Sequence, residues 1–340
     1  MRSWVWYGRC LGCLVAVFGC GVDSQPKVVV YTALDREFSE PILKRYQAGH
    51  GVIVEAKYDI ESTKTIALTN QLLAERARPR CDLFWNNEIL NTLRLKRQGL
   101  LGPFTPANAE DFPEEFRARD GTWYGFAARA RVLLVNVQLL ALDDRPKSIM
   151  ELVLPKWRGK VGLAKPLFGT TATHAACLFS VMGYDKAKAF FQDLKANEVR
   201  TYSGNRDVAR AVGRGEIAVG LTDTDDAIGE AAEGSPVAIV YLDREADQLG
   251  TLFIPNTVAI LKNAPHREEA ERLASYLLSL EVENSLATGP SAQVPLNRRS
   301  DVAVQVETPK TVHAMNVDFE HAAQIWDQVA DFLTREFSTP

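Results

Sequence analysis

The sequence predicts an α/β protein of two doubly wound lobes that face each other across a ligand cleft. Three observations predict it. From residue 27 onward, short β-branched runs alternate with helical patterns; the alternation comes in two blocks; and no long polar linker separates the blocks. Three βα units in a row call for a parallel sheet with helices on both faces. Without a linker, the lobes must be joined by strands that cross between them. Ligands of such sheets bind beyond the carboxyl ends of the strands, so two facing lobes form a cleft that closes on its ligand.

Each element follows from its own pattern. Val28-Val29-Val30-Tyr31-Thr32 is a β-branched strand, and a helix runs over residues 36–46. Residues 52–58 form a second strand, and a helix over 62–77 carries Ile66, Leu68, Leu72 and Leu73 at helical spacing. Asp82-Leu83-Phe84-Trp85 is the third strand, followed by a helix with Leu90, Leu93 and Leu95 that stops at Gly99. The second block opens on an extended segment, 124–136, apolar in its later half, and a strand at 160–164. Helices over 171–182, 186–194 and 206–214 precede a strand at 216–221, which ends in Thr222-Asp223-Thr224-Asp225-Asp226. Strands at 237–242 and 257–261 and helices at 267–279 and 317–337 complete the chain.

The N-terminus sets the compartment. Arg2 and Arg9 flank the approach to a short apolar run from Cys10 to Phe18, too short to span a bilayer and typical of an export signal. It ends in Val17-Phe18-Gly19-Cys20, which resembles the bacterial lipobox, with Cys20 as the lipidated residue. Residues 1–19 are therefore expected to be a lipoprotein signal peptide and residues 20–26 a polar tether. Three of the five cysteines lie in this segment, which leaves Cys81 and Cys177 as core residues, too few for a zinc motif or a disulfide framework. Lys and Arg number 39 against 43 Asp and Glu, with no basic block, which argues against a nucleic-acid partner. The expected product is an exported, membrane-anchored monomer in the periplasm or cell envelope.

Five stretches carry a family resemblance: Val30-Tyr31-Thr32-Ala33-Leu34-Asp35, Asp82-Leu83-Phe84-Trp85-Asn86-Asn87-Glu88, Ala128-Arg129-Ala130-Arg131-Val132, Trp157-Arg158-Gly159-Lys160-Val161-Gly162 and Gly289-Pro290-Ser291-Ala292-Gln293-Val294-Pro295-Leu296-Asn297. Their order and spacing resemble the ferric-ion-binding branch of bacterial periplasmic solute-binding proteins. The resemblance implies the type 2 periplasmic binding protein fold, a two-strand hinge, and delivery of cargo to an ABC transporter permease. It divides the chain into a first lobe, residues 27–128 completed by about 257–300, and a second lobe, 129–256, with 301–340 packing on both.

The resemblance also implies a site. Asp35 stands where ferric members place a ligand after the first strand, and Glu88 matches a glutamate ligand with an offset of one residue. Asp225-Asp226 stand where the family has two adjacent tyrosines. Phenolates favour Fe(III), so their replacement leaves the cargo open between ferric iron and other hard cations. Four carboxylates beyond strand ends suit such a cation. Asp225 and Asp226 also begin a helix, where Asp serves as cap and dipole partner without any ligand. Arg129 and Arg131 occupy the first hinge segment, where the family holds an anion beside the metal. Two apart on a strand, they share a face, and their forks match carboxylate, phosphate or carbonate. Pairing with nearby carboxylates is the alternative. Thr170 and Thr171 open a helix, whose N-terminus either binds an anion or is capped by them. His174 reads as a partly buried helix residue, and Tyr31 and Tyr202 as packing residues by default, with the alternative that they line the cleft as oxygen donors. The acidic run lacks the glycine of an EF-hand loop.

No nucleophile elbow and no P-loop is present, and Gly213-Arg214-Gly215 precedes a strand rather than following one. A catalytic role, as a hydrolase or transferase on the same fold, is the remote reading. A small organic solute such as a phosphonate or amine is the nearer rival to a metal, its ammonium facing Asp225-Asp226 and its anionic end facing Arg129, Arg131 and Thr170.

Overall fold

The computed structural model describes residues 25–59 and 65–338, together with Met1 and Trp4. Cys20 and nearly all of the signal and tether lie outside the described residues. The first half of the chain folds as β1 (Lys27–Thr32), α1 (Arg36–His50), β2 (Ile53–Tyr58), α2 (Ile66–Ala74), β3 (Leu83–Asn86), α3 (Leu90–Arg97), β4 (Leu101–Gly102) and β5 (Tyr124–Asn136). There follow β6 (Val161–Ala164), α4 (Gly169–Met182), α5 (Tyr184–Ala196), β7 (Arg200–Tyr202), α6 (Asn205–Gly213), β8 (Val219–Asp223), α7 (Thr224–Ala232) and β9 (Val237–Val240). The chain ends with β10 (Phe253–Leu261), α8 (Arg267–Leu277), α9 (Leu280–Thr288) and α10 (Phe319–Phe337).

The strands run in the order β2-β1-β3-β10-β5-β8-β6-β7, with β4 beside β10 and β9 beside β5. β1 pairs in parallel with β2 and β3, and β6 in parallel with β7 and β8, the expected mark of βα units. The two half-sheets meet on β5. As far as Ala130 it pairs antiparallel with β10; from Arg131 it pairs antiparallel with β8 and, further along, with β9. All of its residues are buried, because helices or the other strands cover both faces. Within the stretch that pairs with β10, Ala127 has a φ of 43° and β10 carries an irregularity between Ile254 and Asn256. Pro255 lacks an N–H to give to the ladder, and a bulge is where a sheet tolerates that.

Gly220 sets how close α6 lies to the second half-sheet. A Cβ there would meet Val208 Cγ1 at 2.4 Å and Val212 Cγ2 at 2.9 Å. With no side chain at this position, α6 settles on β8 and brings its first residues, Asn205 and Arg206, beside the carboxyl end of that strand. α10 packs against α3 of the first half and α4 of the second.

Several elements differ from the pattern-based expectation. β8 lies at Val219–Asp223 rather than 216–221, because Gly215 (φ 71°) turns the chain and Glu216 still belongs to that turn. β10 begins at Phe253, upstream of the proline that cut the expected strand short. The short strands β4 and β7 and the helix α9 carry no strong periodicity and were not expected. α9 starts where Ser279 accepts a hydrogen bond from the Val282 N–H at 3.4 Å, a cap that separates it from α8. Cys81 and Cys177 are buried free thiols.

Candidate functional site

The site forms where β8 ends. Arg131 and Asp223 are direct cross-strand partners on β5 and β8, and their side chains meet there. Arg131 Nη1 donates to Asp223 Oδ1 at 2.7 Å, to Asn205 Oδ1 at 3.2 Å and to Thr170 Oγ1 at 3.3 Å; Nη2 donates to Thr171 Oγ1 at 3.4 Å. Asp223 Oδ2 accepts from Thr170 Oγ1 at 2.6 Å and from Asn205 Nδ2 at 3.0 Å. Asp223 stands in the N-cap position of α7 but makes no capping bond, having turned toward β5 instead. Burial works to raise its carboxyl, yet Arg131, Arg129 and the hydrogen bonds from Thr170 and Arg131 hold it below the usual carboxylate range. Thr170 and Thr171 likewise make no capping bond to α4.

Arg129, two residues back on the same face, is buried and spans the two halves. Its Nη1 donates to Asp225 Oδ2 at 3.2 Å and its Nη2 to the Asn87 carbonyl, in the turn after β3. Burial opposes its charge, but Asp225, Asp223 and Asp35 together raise its pKa above the ordinary guanidinium value. Arg129 Nε and Asn87 Oδ1 are buried without a partner among the described residues. Arg206 makes a second bridge, pairing with Glu37 on α1 and lying 3.6 Å from Asp226 Oδ1 on α7.

The acidic residues gather unevenly. Asp223, Asp225 and Asp226 each bring a carboxylate oxygen within 4.8 Å of the others, close enough to hold one metal ion. Asp35 comes from the first half, near enough to raise both Arg129 and Arg206. Glu88 is placed elsewhere. It is fully buried and accepts from Asn86 Nδ2 at 2.9 Å, the Asn91 N–H at 3.1 Å and Thr173 Oγ1 of α4 at 2.8 Å. Those donors use its oxygens to start α3 and to tie it to the second half. His174 lies behind Arg131, at 3.5 Å from its Nε, where burial and then Arg131 push the imidazole down to about 3 against the opposing pull of Asp223; it stays neutral at physiological pH. Tyr31 faces Glu75 and Gln71, away from these carboxylates.

Four contributors were not legible as site residues. Asp223 belongs to the acidic run, but its partner Arg131 is 92 residues away. Asn205 and Arg206 open a helix just after a strand end, which was the available signal, and Asn87 sits inside the stretch Asp82–Glu88 with no chemistry of its own to mark it.

Residues 82–324 match the family described as bacterial extracellular solute-binding protein. The major ferric iron-binding protein of Neisseria meningitidis is 23% identical over 93% of this chain and 96% of its own. The iron-bound HitA structure from Pseudomonas aeruginosa superposes with a TM-score of 0.82 at 22% identity, covering 91% of this chain and 99% of that one. The periplasmic binding protein AfuA of Actinobacillus pleuropneumoniae, described with fructose-6-phosphate bound, gives a TM-score of 0.81 at 20% identity over 93% of this chain and all of that one. The architecture is the periplasmic binding protein fold.

Proposed function

We propose a cargo from one premise: this chain belongs to the bacterial extracellular solute-binding protein family. It is a binding protein of ABC transport rather than an enzyme. Its cargo, in our reading, is ferric iron or a similarly hard cation, handed to the ABC permease. The observation that carries the reading is the convergence of Asp223, Asp225 and Asp226 beside two buried arginines at the carboxyl ends of the strands. Carboxylate oxygens are hard donors, suited to Fe(III), Mn(II), Ca(II) or Mg(II). Asp225, Asp226 and, across the cleft, Asp35 would be the ligands. Glu88 would act one layer back, holding α3 against α4. The lobes are residues 27–128 with about 257–300, and 129–256, closing about β5 and β10; the mature chain is a monomer anchored through a lipid on Cys20.

The test is native mass spectrometry of protein purified without chelator, followed by titration with Fe(III)-citrate, Mn and Ca. A bound metal mass that disappears in Asp225→Asn/Asp226→Asn supports the reading. Since removing a charged partner from a buried site costs on the order of 1.5–3 kcal/mol, the double variant should bind roughly ten- to a hundredfold more weakly. Carboxylates lack the phenolate-to-iron transition, so the loaded protein should lack strong visible colour. An organic mass increment instead would favour the rival reading, a small phosphonate or amine. One observation supports that rival, the sugar phosphate named for a structure of the same fold. Cys20→Ala, if the anchor reading holds, should move the protein from the detergent phase to the aqueous phase.

A further inference from the structure

We infer that Asp223 is a built-in anion: its carboxylate fills the cradle formed by Arg131, Thr170 and Asn205, so cargo binds without a co-bound oxyanion from solution. The inference deepens the cargo reading and rests on it for the metal, but not for the cradle.

The cradle has the chemistry of an oxyanion site. It offers a guanidinium fork, two threonine hydroxyls and an asparagine amide, where the first turns of α4 and α6 meet. Each of these groups except Thr171 already bonds Asp223. Oδ1 takes the Arg131 fork at 2.7 Å, and Oδ2 takes Thr170 Oγ1 at 2.6 Å and Asn205 Nδ2 at 3.0 Å. Thr171 completes the ring through Asn205 Oδ1 at 3.1 Å. Asp223 is buried and pairs with Arg131 at 2.7 Å, so it supplies the negative partner that the guanidinium requires. The pocket beside Thr170, Thr171, Ser203 and Asn205 is small, and Asp223 itself forms part of its wall.

Position makes this more than a structural ion pair. The same carboxylate lies within 4.8 Å of the Asp225 and Asp226 oxygens. One face of it is consumed by the cradle, while the group as a whole stands beside the proposed metal ligands. That is where a separate anion would have to sit to complete the coordination of a cation. A covalently attached anion brings no translational entropy cost on binding, so no dependence on anion concentration is left.

The experiment uses the full chain and two probes. Inorganic phosphate alone is titrated into wild type and Asp223→Ala, which empties the cradle, by calorimetry; Fe(III)-citrate is then titrated with and without millimolar phosphate or carbonate. Wild type should give no heat with phosphate, and its iron affinity should move by less than about twofold on adding either anion. Asp223→Ala, which leaves Arg131 without its partner, should bind phosphate, melt at a higher temperature in its presence, and gain about tenfold or more in iron affinity with it. Saturable phosphate binding by wild type, or a tenfold rise of its iron affinity with phosphate, would overturn the inference. So would a folded Asp223→Ala that ignores phosphate. Should that variant not fold, the wild-type titrations decide alone. The phosphate arm contains no metal, so the expected phosphate pattern without iron binding in either protein would sink the cargo reading and leave the cradle assignment standing.

Discussion

The junction between the two half-sheets is held differently on its two sides. On the cleft side the ties between the halves are polar: Arg129 to the Asn87 carbonyl, Arg206 to Glu37, and Glu88 to Thr173. On the other side α10 covers the junction with aromatic rings. Phe332 lies 5.8 Å from Phe179, Phe337 lies 6.2 Å from Phe191, and Phe319 lies 6.3 Å from Phe116. The difference teaches which side opens. Polar pairs exchange their partner for water at small net cost, whereas separating buried rings loses roughly 25 cal/mol for each Å² exposed. Opening should therefore bend β5 and β10 while α10 stays packed on both halves.

The largest effect should come from the apolar side. Phe332→Ala removes a buried ring and should cost about 3–5 kcal/mol of stability, read as a lower melting temperature, with metal preference unchanged. A smaller loss would mean that α10 contributes less than its packing implies.

Next in size is the seam between the sides. Glu283 on α9 is buried, accepting from the N–H of Ala127 at 2.8 Å and of Asn297 at 3.0 Å. Burial raises its pKa to about 7, against the backbone bonds that lower it. The folded protein thus holds a proton that the unfolded chain, at about 4.5, has released. Stability from this group is complete below about 4.5 and is lost as pH rises toward 7, by about 3 kcal/mol in all at 1.36 per unit. Glu283→Gln should flatten that part of the stability–pH curve, while costing about 1–3 kcal/mol because its amide NH2 faces a backbone N–H. An unchanged slope would remove Glu283 as the source.

The smallest effect on stability belongs to the cleft rim. Arg206 is partly exposed, so Arg206→Ala should change stability by about 1 kcal/mol or less. It should nevertheless raise the radius of gyration of the cargo-free protein in small-angle scattering, and salt should mimic it in wild type. A radius unchanged by either would show that this pair does not hold the halves together.

The fold was legible because its signals are local. The Val28-Val29-Val30 run and the apolar later half of β5 name their strands without help from any distant residue. α9 was not legible: Leu280-Glu281-Val282-Glu283-Asn284 mixes buried and charged positions, and its one buried glutamate breaks the apolar stripe. The site was legible in part. Arg129 and Arg131 share a face because of strand geometry alone. That Arg131 takes Asp223, while Arg129 takes Asp225 and crosses to Asn87, depends on the register of β5 against β8. No local pattern encodes that register. Glu88 shows the same limit: a carboxylate after a strand end is equally suited to a metal and to the first turn of the next helix, and here backbone N–H and Thr173 surround it.

Ala127 carries a consequence for how the molecule loosens. Its N–H goes to Glu283, its carbonyl accepts from Asn256 Nδ2, and its φ of 43° takes the chain out of the extended ladder. At this residue, then, both main-chain groups are held by side chains. The β5–β10 ladder is interrupted there and resumes at Arg129 opposite Ile254, so this residue is a point of local opening closed by one carboxylate and one amide. Amide hydrogen exchange would register this as a local dip in protection along β5.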